Sequence, residues 1–200
     1  MGGYLPTHAS PVETPKKKEV ISVKVLVLAG SPHSKGTTAF LADEFCIGAE
    51  EAGHEVVRFE IAGLKVHPCI GCYHCRRNGG KCVYDDDMTL IYPHLLAADV
   101  VVLVTPLYYF GMTAQLKCAV DRFFSVNAAL REAPRKLFLI AAGADKDDWA
   151  MDALKMQVHT VCRYLNWQES GMLLALSANS RGDVEKSGDG VRARRLGKEL

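Results

Sequence analysis

From Val20 to the end, the chain alternates short β-branched apolar runs with longer stretches of helical spacing. That alternation limits the fold more than any other feature. The runs VKVLVLAG (23–30), DVVVLVTP (99–106) and KLFLIAAGA (136–144) read as buried strands, because strands covered on both faces lose the polar half of the usual alternation. HEVVRFEIA (54–62) sets Val57, Phe59 and Ile61 inward against Arg58 and Glu60, as expected nearer a sheet edge, and a fifth strand lies within 167–176. Helical spacing fills the intervals at 37–53, 88–98, 112–130 and 147–166, with a final helix at 184–200. Pro93 must kink the second of these or set its start. Repeated β-α units predict a parallel sheet with helices on both faces. Five strands fit the order 2-1-3-4-5, a three-layer α/β/α sandwich whose ligands sit beyond the carboxyl ends of the strands, at the switch point between the first and third.

Composition narrows the partners. A net charge of +1 from 24 basic and 23 acidic side chains provides no basic field for nucleic acid and no polybasic patch for anionic membrane. No apolar run approaches the roughly 20 residues of a membrane span. The first residues lack the apolar core of a signal peptide, so the expectation is a cytoplasmic protein with its seven cysteines as thiols or ligands. Residues 1–19, rich in Pro, Gly, Thr and Lys, read as a flexible arm ahead of one domain over 20–200.

Three loops fall at the expected ligand edge. GSPHSKGTT (30–38) places hydroxyls at Ser31, Ser34, Thr37 and Thr38 around Gly36, just ahead of a helix whose backbone N–H groups favour a phosphate. The same residues also suit a plain strand-to-helix turn with a Thr N-cap. The loop matches neither G-x-x-x-x-G-K-[ST] nor G-x-G-x-x-G, which argues against a nucleoside triphosphate and the usual dinucleotide site. TPLYYFGMTAQLK (105–117) gathers Tyr108, Tyr109, Phe110 and Gly111, which can wall a flat heterocycle while backbone amides approach its polar rim. AAGADKDD (141–148) adds small residues beside the same edge. Together the three describe a site for a phosphate-bearing planar cofactor.

Between the second strand and the next helix lies PCIGCYHCRRNGGKCVYDDDM (68–88), with Cys69, Cys72, Cys75 and Cys82 in the pattern C-x2-C-x2-C-x6-C. This is too compact for paired zinc knuckles. Closely set thiolates are similar to iron–sulfur ligation, although the spacing is not the ferredoxin run. His67 and His74 leave zinc open, and thiols without metal are the third reading. Cys46, Cys118 and Cys162, on helical stretches, read as ordinary buried thiols.

These three motifs, in this order over about residues 22–145, resemble the NAD(P)H-dependent FMN reductase family of flavodoxin-like proteins, close to its iron–sulfur flavoprotein branch. The resemblance implies that Ser31, His33, Lys35, Gly36, Thr37 and Thr38 hold the FMN phosphate. His33 stands where a basic residue is usual, and Thr37 where Asn is usual. It implies that Pro106, Leu107, Tyr108, Tyr109, Phe110 and Gly111 contact the isoalloxazine, with Gly143, Ala144 and Asp145 on its other flank. Asp121 and Arg122 match a recurrent pair of structural character. The implied function is an oxidoreductase that moves hydride from NAD(P)H through FMN to a flavin, quinone or other small-molecule acceptor. No catalytic acid or base is required, because the flavin carries the chemistry. The iron–sulfur branch implies the alternative: an electron carrier to a protein acceptor, with a 4Fe-4S cluster on the four loop cysteines. A flavin-binding interaction protein is a third class. The resemblance also implies a homodimer or homotetramer.

Overall fold

The computed structural model describes residues 22–200, so the arm expected at 1–19 lies outside the described residues. The sheet is parallel throughout, in the order β2-β1-β3-β4-β5. Its strands are β1 (Lys24–Ala29), β2 (Glu55–Glu60), β3 (Val100–Pro106), β4 (Lys136–Ala142) and β5 (Gln168–Ala175). The helices are α1 (Thr37–Glu51), α2 (His74–Arg77), α3 (Met88–Ala97), α4 (Ala114–Arg122), α5 (Asn127–Glu132), α6 (Asp152–Leu165), α7 (Arg181–Ser187) and α8 (Asp189–Lys198). None is long and apolar enough to cross a membrane.

Successive strand residues point to opposite faces, and this divides the core in two. Leu26, Leu28, Val101, Leu103, Leu137 and Leu139 pack under α3, α4 and α6. Val25, Val27, Val100, Val102, Val104, Phe138 and Ile140 pack under α1, α7 and α8. β1 therefore leads into a helix on one face and its neighbour β3 into a helix on the other. Their carboxyl ends splay apart there and open the crevice that the strand order requires.

Several expected elements are shorter than their periodicity. The helix expected at 112–130 breaks into α4, a 3-10 turn at Phe123–Val126 and α5. The break keeps Phe123 and Leu130 in the core and lets the Trp167 indole N–H donate to the Leu130 carbonyl at 2.8 Å. The helix expected at 147–166 begins as a 3-10 turn at Asp148–Met151 before α6. The last helix is two, divided at Gly188, where φ is +83°; α7 opens with a capping box between Ser180 and Asp183. Ile61 leaves β2 and is buried in a 3-10 turn. Arg58, expected outward, is largely covered and pairs with Asp43 at 2.7 Å and Glu60 at 2.6 Å. Pro93 lies inside α3 rather than at its start.

α1 and α8 cross with almost no space between their backbones. A β-carbon on Gly48 would strike the Arg194 carbonyl, and one on Gly197 the Phe45 carbonyl. Gly197→Ala should therefore push α8 off α1 and destabilise the fold by about 1–3 kcal/mol, the usual range for overpacking. Chemical denaturation checks this, and an unchanged midpoint would refute the close packing.

Candidate functional site at the sheet edge and the cysteine loop

The loop after β1 is pinned at both ends. Gly30 N–H donates to the Val104 carbonyl at 2.8 Å, and Gly36 N–H donates to the His33 carbonyl at 3.0 Å. A β-carbon on Gly30 would come 2.6 Å from both Leu116 Cβ and Thr113 Oγ1, so only glycine allows β1 to end this close to α4. The N-cap of α1 is Gly36 rather than a threonine, in extended backbone and with no side-chain cap. No acidic residue occupies the first turn. Its leading N–H groups thus lack a side-chain acceptor, while exposed His33, Ser34 and Lys35 and half-buried Ser31 lie beside them. Thr38 is buried. This donor set, uncapped amides with hydroxyls and a cation, suits a phosphate.

The loop after β3 carries backbone strain. Tyr108 and Gly111 exchange both backbone hydrogen bonds, at 3.0 and 3.2 Å, around Tyr109 at φ +48° and Phe110 at φ +65°. Two successive left-handed residues form a turn that normally takes Asn-Gly or Gly-Gly. Placing two aromatic residues there costs roughly 1–3 kcal/mol each. The turn leaves Tyr109 99% exposed and Phe110 41% exposed. Phe110 stacks on Trp149 at 5.6 Å and 26°, and meets Tyr109 edge-on at 5.7 Å. Trp149 escaped sequence reasoning because the helical pattern at 147–166 absorbed it; its position just after an edge loop was the available signal.

In the third loop, Gly143 is buried and makes packing room: a β-carbon there would press on Met151 and Leu107. Ala144 and Asp145 are exposed, and the Asp145 carboxylate accepts from the Asp147 N–H at 3.0 Å. Pro106 and Leu107 are half-buried at the end of β3, with Leu107 N–H bonded to the Ala142 carbonyl at 2.8 Å. The structure thus brings the three sequence-predicted segments to one edge of the sheet. An uncapped helix start and an exposed aromatic wall at that edge fit a phosphorylated planar group such as FMN.

The cysteine loop forms a second, adjoining unit with a closed neck. Lys65 N–H donates to the Asp87 carboxylate at 2.7 Å, Asp87 N–H to the Lys65 carbonyl at 3.1 Å, and His67 N–H to the Asp86 carboxylate at 3.0 Å. Arg122 enters this neck from α4. Its guanidinium donates twice to Asp86, at 2.7 and 3.1 Å, and once to the His67 carbonyl at 2.9 Å. It also lies 5.4 Å from the centre of the Tyr84 ring, which stacks on His67 at 4.7 Å. Arg122 thus pairs with Asp86 rather than with its neighbour Asp121, which binds Lys117 at 2.6 Å. Of the three successive aspartates, Asp86 and Asp87 close the neck, and Asp86 also accepts from Met88 N–H at 3.2 Å.

Burial alone would raise the Asp86 pKa, but hydrogen bonds from Arg122 and the His67 and Met88 amides overcome it and hold the carboxyl below the usual range. Burial likewise works against the Arg122 charge, yet the bond to Asp86 outweighs it, so the guanidinium stays cationic.

All four loop cysteines line one small cavity, with Tyr73, Tyr84, Asp121, Arg122, Phe124 and Ser125 among the other lining residues. Cys69 and Cys72 are exposed, Cys75 and Cys82 half-buried. Among the described residues, no three His, Cys, Asp or Glu side chains converge as a single metal ion requires, so the zinc reading gains no support. A cluster asks for something different, because each thiolate binds its own iron. The four cysteines are the donor type such a group takes, but among the described residues they form no metal-holding arrangement. Cys162 is buried and Cys46 and Cys118 half-buried; burial pushes the Cys46 and Cys162 thiols up to about 11.

Comparison with known proteins adds the following. The model of the NADPH-dependent FMN reductase family matches residues 23–176. An iron–sulfur flavoprotein of Methanocaldococcus jannaschii is 31% identical over 137 residues, covering 68% of this chain and 70% of that protein. A second from the same organism is 33% identical over 138 residues, covering 66% and 68%. Among solved structures, an NAD(P)H:quinone oxidoreductase from Methanothermobacter marburgensis superposes with a TM-score of 0.67 at 16% identity, over 90% of this chain and 98% of that one; at this identity the likeness concerns the fold.

The Asp86–Arg122 pair has a pH signature. A carboxyl depressed in the folded state contributes stability above its unfolded value, near 3.9, and loses that contribution as pH falls through the folded value. Asp86→Asn should lower stability at pH 7 by about 3–5 kcal/mol, the cost of breaking a buried pair. It should also flatten the acid limb of stability below about pH 4. Denaturation at a series of pH values checks both effects, and a variant with the wild-type acid limb would contradict the assignment.

Proposed function

The chain belongs to the NADPH-dependent FMN reductase family, and we propose that it is an oxidoreductase taking electrons from NADH or NADPH and delivering them to a flavin, quinone or other small acceptor. FMN, when bound, supplies the hydride chemistry, so the polypeptide needs to bind, orient and shield rather than to donate protons. The start of α1, with Ser31, His33, Lys35, Gly36, Thr37 and Thr38, takes the phosphate. The segment Pro106–Gly111 takes the ring, and Ala144 and Asp145 border it. Gly143 acts indirectly, by letting the loop after β4 close against Leu107. The observation that carries the assignment is the strained Tyr108–Gly111 turn: it spends backbone energy to keep aromatic surface exposed beside an uncapped helix start.

Purified protein reconstituted with FMN should oxidise NADH or NADPH steadily once a quinone or free flavin is supplied, well above the rate of free FMN. Phe110→Ala should weaken FMN binding by about 1 kcal/mol or more, read from flavin fluorescence. Protein that binds FMN tightly yet oxidises neither nicotinamide would overturn the reductase reading.

A second reading is favoured by the cysteine cavity: an electron carrier in which Cys69, Cys72, Cys75 and Cys82 hold a 4Fe-4S cluster. Four cysteines around one cavity at a closed, ion-paired neck support it. Iron and acid-labile sulfide should then be present after anaerobic purification and lost from each single Cys→Ser variant of the four. They should persist when Cys46, Cys118 or Cys162 is replaced, with FMN retained throughout. Wild-type protein free of iron would exclude the carrier.

A further inference from the structure

A groove of about 690 Å³ runs between the cysteine loop, the end of α3, α5 and the last turn of α6. It adjoins the cysteine cavity but lies apart from the flavin edge: Tyr164, on its wall, is twelve residues along α6 from Asp152, about 18 Å of helical rise. Its size is that of a small-molecule site. Gly79 and Gly80 shape one wall. At φ +58° and +86° they turn the chain after α2, and a β-carbon on Gly80 would come 3.1 Å from the Ser125 carbonyl. The glycine pair lets the loop lean on the 3-10 turn at Phe123–Val126. Leu96, Phe124 and Val126 give the groove apolar lining, and its charge comes from Arg76 on α2 and Arg131 on α5. No lining residue is acidic. Among the described residues, neither arginine pairs with a carboxylate, whereas Arg58, Arg122, Arg181, Arg192, Arg194 and Arg195 all do. Each rests instead on a tyrosine ring. The Arg76 guanidinium is 5.9 Å from the centre of Tyr73, and that of Arg131 is 5.1 Å from the centre of Tyr164. The rings orient both cations and supply no counter-charge.

We propose that this groove is a second ligand site, for a nucleotide, in which Arg76 and Arg131 take the phosphate and the apolar lining takes the base. A phosphate monoester carries roughly two negative charges at neutral pH, which suits two uncompensated cations better than a single carboxylate does. A guanidinium meets phosphate oxygens through two parallel N–H groups. Inorganic phosphate alone would leave Leu96, Phe124 and Val126 uncovered, whereas a flat base covers them and stacks on the Phe124 ring. A nucleotide held in this way ties the cysteine loop to α5. The inference uses neither the flavin reading nor the cluster reading, and it stands or falls separately from both.

The test is calorimetric titration of FMN-saturated protein with AMP, GMP, CMP and UMP, and with their nucleosides and inorganic phosphate as the two halves of the ligand. At least one nucleotide should bind more than about tenfold tighter than either of its halves. Arg76→Gln and Arg131→Gln should each weaken that nucleotide about tenfold, the worth of one charge-assisted bond. Arg163→Gln, an exposed arginine outside the groove, should leave it unchanged. Arg76 and Arg131 are themselves exposed, so both variants should fold and keep their FMN. If either does not, amide exchange of the wild-type protein decides, with nucleotide-dependent protection expected at 75–80 and 124–131. Absence of that protection would overturn the inference. Binding that survives both arginine replacements would put the nucleotide elsewhere, at the flavin edge, and also overturn it. So would nucleosides that bind as tightly as nucleotides, or no nucleotide bound at millimolar concentration. A groove closed by a second copy of the chain, seen as no nucleotide binding together with a solution mass that falls in Arg131→Gln, would overturn it as well.

Discussion

The Thr113 hydroxyl, fully buried, donates to the Gly30 carbonyl at 2.8 Å and accepts from the Leu116 amide at 3.3 Å. One side chain thus caps α4 and fastens the loop after β1 to the loop after β3. Thr105 extends the tie by accepting from Thr113 N–H at 3.0 Å. The bond from Thr113 to Gly30 needs a glycine there, because any β-carbon would collide with Thr113 Oγ1 and Leu116. The splay between β1 and β3 would otherwise leave the two loops independent. Held together, the uncapped start of α1 and the aromatic turn after β3 lie at one edge of the sheet, where the proposed flavin would bind.

α4 then carries this constraint to the cysteine loop. Its first turn is locked to the sheet edge through Thr113, and its last residue, Arg122, is the peg around which residues 65–87 close. The desolvation of a buried guanidinium is offset only because Asp86 and the His67 carbonyl meet it in good geometry. The loop itself offers little apolar burial: Ile70, Tyr73 and Val83 are exposed. Its order comes from the neck, so the flavin edge and the cysteine cavity share one rigid support.

The parallel sheet and its strand order were legible because five apolar runs in β-α alternation leave few topologies, and the three edge loops followed from that order. The same periodicity over-extended the helices. It could not register that Trp167 reaches back to Leu130 across 37 residues, or that Gly188 turns the chain between α7 and α8. The N-cap of α1 stayed open in the sequence because Thr37 and Gly36 are both acceptable there, and only the geometry of the His33–Gly36 turn selects Gly36. The partner of Arg122 was hidden for a related reason. Asp121 is adjacent in sequence, whereas Asp86 is brought in by the fold from 36 residues away. Trp149 lay inside an apparent helix, and its stacking on Phe110 is a contact between two loops that no single-segment pattern contains.

Amide hydrogen exchange with and without saturating FMN tests the central claim most directly, namely that the edge joined by Thr113 and Gly30 is where the flavin binds. The account predicts new protection in residues 30–39, 106–113 and 143–149, with the neck at 65–67 and 86–88 unchanged. Protection confined to the cysteine loop, or absent from the start of α1, would contradict it.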